Sequence, residues 1–515
     1  MKLIPTYTWT KGVEKMDRKA KTFFDLPWAS GVILITCVIV AMLLANLPAT
    51  KDYYTAFLET DISMNIQSPL HPDGTRTIDI AFPDNMTVAK FINDILMVFF
   101  FFTVGLEIKR EIVCGELSSR KKAMLPVIAA AGGMLMPALI FALVNHGTMA
   151  SSGWGIPTAT DIAFAVGIMS ILGNKVPLSL KVFLTALAIA DDLGSILIVA
   201  LFYGGKINFG LLSIALVVCL LVYLMNIMGE KRPAMYLIPA IVLWTLFYYS
   251  GIHATMSGVL MAFMIPMKPR YGKQYFIHKN KIYFERINQL EELDDNGEPF
   301  PNGPQRHHLR NISKVSNDAI GLSYRLEHSL DKWVNFLIMP IFALANAGVE
   351  LSGLGDYNIM SWTPEMGSVG LGVFFGLLIG KPLGITLASF IAIKLKIGEM
   401  PDKSSWKMLF AVACLGGIGF TMSIFVDTLS FGHLDPMITS EFRSAGKIAV
   451  LLGSICSGIL GSLLILAVNK HENRKKGVKV VVDSGDNAGE TVTGCRCEEV
   501  RQTTEIHLTD DEASE

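Results

Sequence analysis

The amino-acid sequence predicts an all-α polytopic membrane protein of about twelve transmembrane helices, and three observations carry the prediction. Of 515 residues, 51% are hydrophobic and only 17% charged, against about 25% charged in an ordinary soluble domain. Apolar runs recur with centres near residues 38, 99, 134, 164, 192, 218, 241, 260, 339, 380, 417 and 456. Each can supply the ~20 residues a crossing helix needs. The basic residues gather in alternate loops, as membrane orientation requires. A net charge of −1 leaves no basic field for nucleic acid.

Residues 1–28 form a cytoplasmic leader containing Lys11, Lys15, Arg18, Lys19 and Lys21. The first apolar run, Ala29 to Leu47, exceeds the roughly 7–15 residues of a signal-peptide core and lacks an A-x-A cleavage site, so it reads as a retained span. Membrane helices 1–8 then fill 29–267. Between the first two, residues 51–85 place strand-like alternation on either side of Pro72-Asp73-Gly74. That pattern fits an external β-hairpin or an irregular loop. An isolated two-stranded hairpin is marginal in water, so a hairpin here needs something to pair with, such as its equivalent in a second copy.

Residues 268–324 are a polar cytoplasmic insert, too long for a tight connection. The insert contains Tyr275-Phe276-Ile277, an acidic stretch from Glu291 to Asp295 and His307-His308, and is read as a small hairpin without chemistry. Helices 9–12 occupy 325–469, and 470–515 is a flexible cytoplasmic tail of mixed charge. Lys109, Arg110, Arg120, Lys121, Lys122, Lys231, Arg232, Lys394 and Lys396 all fall on the side assigned to the cytoplasm. The seven cysteines are mostly single and imply no disulfide framework, and Cys495-Arg-Cys497 reads as ordinary thiols.

Against this apolar background, Asp161, Asp191 and Asp192 stand inside membrane-type sequence, as does Lys381 in LGVFFGLLIGKPLGITLASF. A carboxylate at bilayer depth costs ~3 kcal/mol or more, so such residues face a protein interior or a watery cavity and mark ion or proton paths. Neighbours on a helix point ~100° apart, so Asp191 and Asp192 cannot share one role. One is expected to hold a cation while the other pairs with Lys381. Glu107, Arg110 and Glu111 share one face at the end of the second span, Asp94 lies earlier in that span, and His253 opens the eighth.

Two apolar spans are interrupted. The fourth begins Gly155-Ile156-Pro157-Thr158-Ala159-Thr160-Asp161, and the eleventh carries Leu415-Gly416-Gly417-Ile418-Gly419. Unwound backbone at membrane depth survives only where protein or a cavity satisfies it. Thr160 offers a hydroxyl and a carbonyl suited to a small hard cation.

The segments INDILMVFFFFTVGLEIKRE, TATDIAFAVGIMSILGNKVPLSLKVFLTALAIADDLGSILIVALFY, SGIHATMSGVL, RLEHSL, PIFALANAGVEL, LLIGKPLGI and GGIGFTMSIF closely resemble the bacterial NhaA Na+/H+ antiporter family, in order from Trp28 to about Asn469. The resemblance implies inverted repeats with two crossing discontinuous helices, an arrangement for which this family is itself a standard example. It also implies electrogenic, pH-regulated exchange of Na+ or Li+ for protons across the bacterial inner membrane, with both termini cytoplasmic, no cofactor, and a homodimer joined through the external hairpin. Asp192 matches the carboxylate that binds the transported Na+, with Asp191 beside it as partner of Lys381. Thr160 and Asp161 match the unwound positions, and Asp94 matches an acidic residue on the cytoplasmic approach. Glu107, Arg110, Glu111, His253, Glu327 and His328 match positions tied to pH response. Asp331 departs from the family, standing where its best-known members have another histidine, and the insert is longer than theirs.

Two other readings share these residues. A sodium-coupled symporter would use similar carboxylates with an added solute site. An intramembrane aspartyl protease would need two carboxyls to meet around one water, normally from separate helices. Asp191 and Asp192 are neighbours, and Lys381 has no part in that chemistry.

Overall fold

A computed structural model describes residues 28–62, 64–67, 79–82, 86–205, 207–269, 271–288, 303–350, 362–402, 404–432 and 434–483. The leader, the Pro72-Asp73-Gly74 turn, the acidic stretch of the insert and the Cys495/Cys497 pair lie outside them.

Among the described residues, eight helices are long and apolar enough to cross a membrane, or up to ten if each of two bent pairs is one span. The eight are Ala29–Asn46, Val88–Val113, Lys122–Val144, Leu178–Phe202, Phe209–Ile227, Pro233–Ser250, Val369–Lys394 and Pro436–His471. The bent pairs are Met149–Thr158 with Ile162–Leu172, at 41°, and Trp406–Leu415 with Phe420–Ser430, at 52°. Two of the expected apolar runs behave differently. Met256–Met264 is a helix of only nine residues. Leu322–Trp333 contains Arg325, Glu327, Asp331 and Lys332, and passes through the π-turn Val334–Ile338 into Met339–Asn346. Leu135 and Leu216, 70% and 71% exposed, belong to outward apolar faces that make sense only against lipid.

Several helices begin where short polar side chains satisfy their first N–H groups. Thr87 accepts from Lys90 N, Asn208 from Gly210 N, Ser368 from Leu371 N and Ser405 from Met408 N. Pro233–Ser250 ends on Gly251, whose φ of 86° is left-handed and suits a residue without Cβ.

The tightest crossing joins the helix Arg120–Val144 to Lys381–Lys394. A Cβ on Gly384 would stand 2.8 Å from the Gly132 carbonyl carbon, so only small residues allow these backbones to meet. Among the described residues, π-turns interrupt three helices, at Ile92–Leu96, Val334–Ile338 and Gly376–Gly380. The third ends immediately before Lys381, and such bulges often re-aim residues at functional sites.

Outside the spans, Met64–Gln67 pairs antiparallel with Asp79–Phe82, Met64 opposite Phe82 and Gln67 opposite Asp79. The insert folds as two packed helices, Lys273–Asn288 and Gly303–Ala319, so its hairpin is helical. Residues 1–468 form one compact unit; Asn469–Glu515 form a second, described only as helix to Asp483.

Candidate ion-binding site

The two bent pairs meet at their breaks. Asp161 N donates to Ile418 O at 2.7 Å, and the Thr160 hydroxyl lies 3.0 Å from Gly416 O. Where a helix begins, its N–H groups lack acceptors and carry partial positive charge. One side chain serves two such ends. Asp161 Oδ1 accepts from Phe164 N at 3.3 Å, capping Ile162–Leu172. Its Oδ2 accepts from Thr421 N at 3.1 Å and from Thr421 Oγ1 at 2.5 Å, at the start of Phe420–Ser430.

The aspartate doublet divides as helix geometry demands. Asp191 Oδ2 takes Lys381 Nζ at 2.8 Å and the Thr160 hydroxyl at 2.6 Å, and both charged side chains are fully buried. Lys381 also donates to the Thr160 hydroxyl. That hydroxyl is therefore engaged by Asp191 and Lys381, while Thr160 also lines the cavity. Asp192, 2% exposed, leaves Oδ1 with no hydrogen-bond partner among the described residues. It lines a cavity of about 300 Å³ together with Asp161, Thr160, Thr421, Glu107 and Asp331.

The cavity thus holds a buried carboxylate with unmet electrostatic need and a second carboxylate satisfied only by dipoles. Either a proton or a small cation can meet that need, and both cannot occupy one oxygen.

Glu107 also belongs to an ion-paired cluster. Arg110 lies 3.2 Å from Glu111, 3.9 Å from Glu107, and pairs with Glu327. The two outlying histidines sit elsewhere: His253 packs edge-on to Phe425 at 6.2 Å, and His328 tilts against Tyr324 at 4.3 Å.

Asp94 lies apart from the cavity. It sits in the π-turn Ile92–Leu96, its carbonyl accepts from Trp244 Nε1 at 3.1 Å, and it does not line the cavity. Thirteen residues at 1.5 Å each put it about 20 Å from Glu107 along the span.

Sequence reasoning missed Thr421 as the partner of Asp161, and it noted Asp331 only as a departure from a pattern. It passed over Asp427, fully buried in Phe420–Ser430, although an aspartate in IFVDTLSF was a visible signal.

Paired helix breaks stitched together around buried carboxylates define an ion-translocating, multi-pass membrane protein. The profile described as Na+/H+ antiporter 1 matches residues 21–465, and the chain belongs to that family. It is 39% identical over 440 residues to the Na(+)/H(+) antiporter NhaA of Escherichia coli O1:K1, covering 85% of this chain and 95% of the relative. The corresponding protein of Shigella dysenteriae serotype 1 is 40% identical over the same length and shares. A sodium proton antiporter of Methanocaldococcus jannaschii superposes with a TM-score of 0.41 at 14% identity, over 89% of this chain and 94% of that one. The family consists of secondary transporters rather than enzymes.

Proposed function

We propose that this protein exports Na+, or Li+, in exchange for incoming protons, as an electrogenic and pH-regulated antiporter serving sodium and pH homeostasis. The observation that carries the proposal is the unequal treatment of the doublet. Asp191 is ion-paired with Lys381 and does not line the cavity, whereas Asp192 lines it and has no ion pair among the described residues.

Asp192 is assigned as the residue that binds the transported ion, with Asp161 helping to line its position. A bare charge there is disfavoured by burial. Protonation removes it and expels Na+; proton loss restores it and admits Na+. Only occupied forms cross readily between inward and outward access, which yields exchange rather than leak. Lys381 and Asp191 hold the floor of the site, with Thr160 bridging them.

The pH response is assigned to the cluster of Glu107, Arg110, Glu111 and Glu327, with His253 and His328 as outlying members. Glu107 faces both the cluster and the cavity, so rearrangement at Arg110 changes the field felt by a bound cation.

We read the chain as twelve spans forming inverted repeats, with the bent pairs at corresponding places in each half. The leader, the insert and the tail are placed in the cytoplasm, and the antiparallel strand pair at the outer face of the bacterial inner membrane, where it joins two copies into a dimer.

The test is reconstitution into sealed vesicles carrying a pH dye. Added Na+ or Li+ should discharge a preset proton gradient at neutral to alkaline pH, and Asp192→Asn should abolish the signal in folded protein. Sodium flux without opposing proton movement, or full exchange by that variant, sinks the proposal. Sodium that moves only together with an added solute identifies a symporter instead.

A further inference from the structure

A second buried charge cluster lies outside the candidate ion site. Asp427 sits in Phe420–Ser430, the half-helix whose first turn holds Asp161 through Thr421. Its side chain is fully buried, and neither carboxylate oxygen accepts a hydrogen bond among the described residues. A carboxylate in that condition is held by charge alone.

The opposing charges come from the helix that starts at Pro436. Lys447 and Arg443 both act electrostatically on Asp427. Arg443 lies at 2.5 Å from Thr428 O, so its guanidinium also satisfies a carbonyl in the last turn of the half-helix. Gly446 makes room for the carboxylate: a Cβ there would stand 2.8 Å from Asp427 Cγ.

Neutral groups from other elements also pack on the cluster among the described residues. Tyr203, at the end of Leu178–Phe202, lies within electrostatic reach of Asp427. Its hydroxyl donates to Ser152 O at 2.9 Å and accepts from Gly155 N at 3.0 Å, both in Met149–Thr158. Ser430 donates to Val426 O. Arg443 and Lys447 also line an open polar pocket of about 420 Å³ with Thr439, Ser440 and Ser444, so water reaches the two cations while the carboxylate stays dry.

We infer that Asp427 is a positioning residue for transport: seated against Gly446 and within the field of Lys447 and Arg443, with Arg443 tied to Thr428 O, it fixes the half-helix Phe420–Ser430 against the last span, and so sets where Thr421 holds Asp161. The six residues from Thr421 to Asp427 span about 9 Å of one rigid half-helix. A tilt released at one end therefore displaces the donor at the other. The inference rests on the antiport reading, because the property it controls is the fit of the transported cation.

The experiment uses the full chain reconstituted in vesicles, with Na+ as ligand and Asp192→Asn as a control. Asp427→Asn should raise the apparent KM for Na+ about tenfold while leaving the maximal rate within about twofold, the effect of uncoupling one member of a buried charge network. Asp427→Glu should restore most of the affinity. If either single variant fails to fold because a charge is stranded, Asp427→Asn combined with Lys447→Met folds and shows the same raised KM. A folded variant lacking the Asp427 charge that retains the wild-type KM, or one that loses only maximal rate, overturns the inference. Absence of exchange in the wild type under the same conditions indicts the antiport reading instead.

Discussion

Replacing Lys381 with methionine tests the floor of the ion site. At 2.8 Å and an effective dielectric constant of ~20, the attraction between Lys381 and Asp191 is about 6 kcal/mol. Removing two charges from water offsets most of that gain, so the pair contributes little net stability. Deleting one member is a different perturbation. Asp191 is then a lone charge with 0% side-chain exposure, and losing one partner of a buried pair costs about 3–5 kcal/mol. For a unit of 468 residues, ~2 cal/mol/K per residue gives an unfolding entropy near 1 kcal/mol/K, so Lys381→Met should lower the melting temperature by about 3–5 °C. Combining Lys381→Met with Asp191→Asn removes both charges and should recover all but about 1 kcal/mol. Tryptophan fluorescence of detergent-purified protein during slow heating reads both shifts. A single variant that melts with the wild type, or a double variant that melts as low as the single, refutes the assignment.

Three other outcomes are expected. Thr421→Val removes the hydroxyl that donates to Asp161 Oδ2 at 2.5 Å; a hydrogen bond to a charged group contributes ~1.5–3 kcal/mol, so the Na+ KM should rise by about tenfold or more, and an unchanged KM refutes the shared cap. Asp331→Asn removes a negative charge from the cavity lining and should raise the Na+ KM about two- to fivefold at low ionic strength, an effect that fades above ~0.1 M salt as screening sets in. Tyr54, in the helix Lys51–Glu59 outside the candidate spans, donates to Leu344 O at 2.7 Å, and burial pushes its phenol up to about 12. Folding therefore favours its protonated form: its contribution is intact below pH ~10 and is lost as pH rises through 12. Tyr54→Phe should cost about 1 kcal/mol at neutral pH, and a phenol titrating near its ordinary value would contradict the burial.

What could be read from the chain follows from how far each signal reaches. Asp161, Asp191, Asp192 and Lys381 were legible because a charge in an apolar run stands out locally, and the ~100° step between neighbours already divided the doublet. Glu107, Arg110 and Glu111 were legible from helix spacing, but Glu327 joins them only through tertiary packing. Thr421 was invisible for the same reason: nothing in GGIGFTMSIF says that its N–H meets a carboxylate 260 positions away. Thr160 was recognised as polar, but the structure spends its hydroxyl on Asp191 and Lys381. Asp94 was assigned by resemblance alone, and its surroundings in the π-turn Ile92–Leu96 and at Trp244 follow from tertiary packing that the sequence does not spell out.

One carboxylate closes both helix breaks, and that constrains motion. The crossed segments are clasped by Asp161, so neither can swing alone without tearing hydrogen bonds at the centre of the protein. A cation that draws on this carboxylate competes with the backbone of Phe164 at Oδ1 and of Thr421 at Oδ2 for its lone pairs. On the proposed assignment, loading the ion and loosening the clasp become a single event, and the chain's own amide hydrogens act as the rival donors against which sodium is weighed.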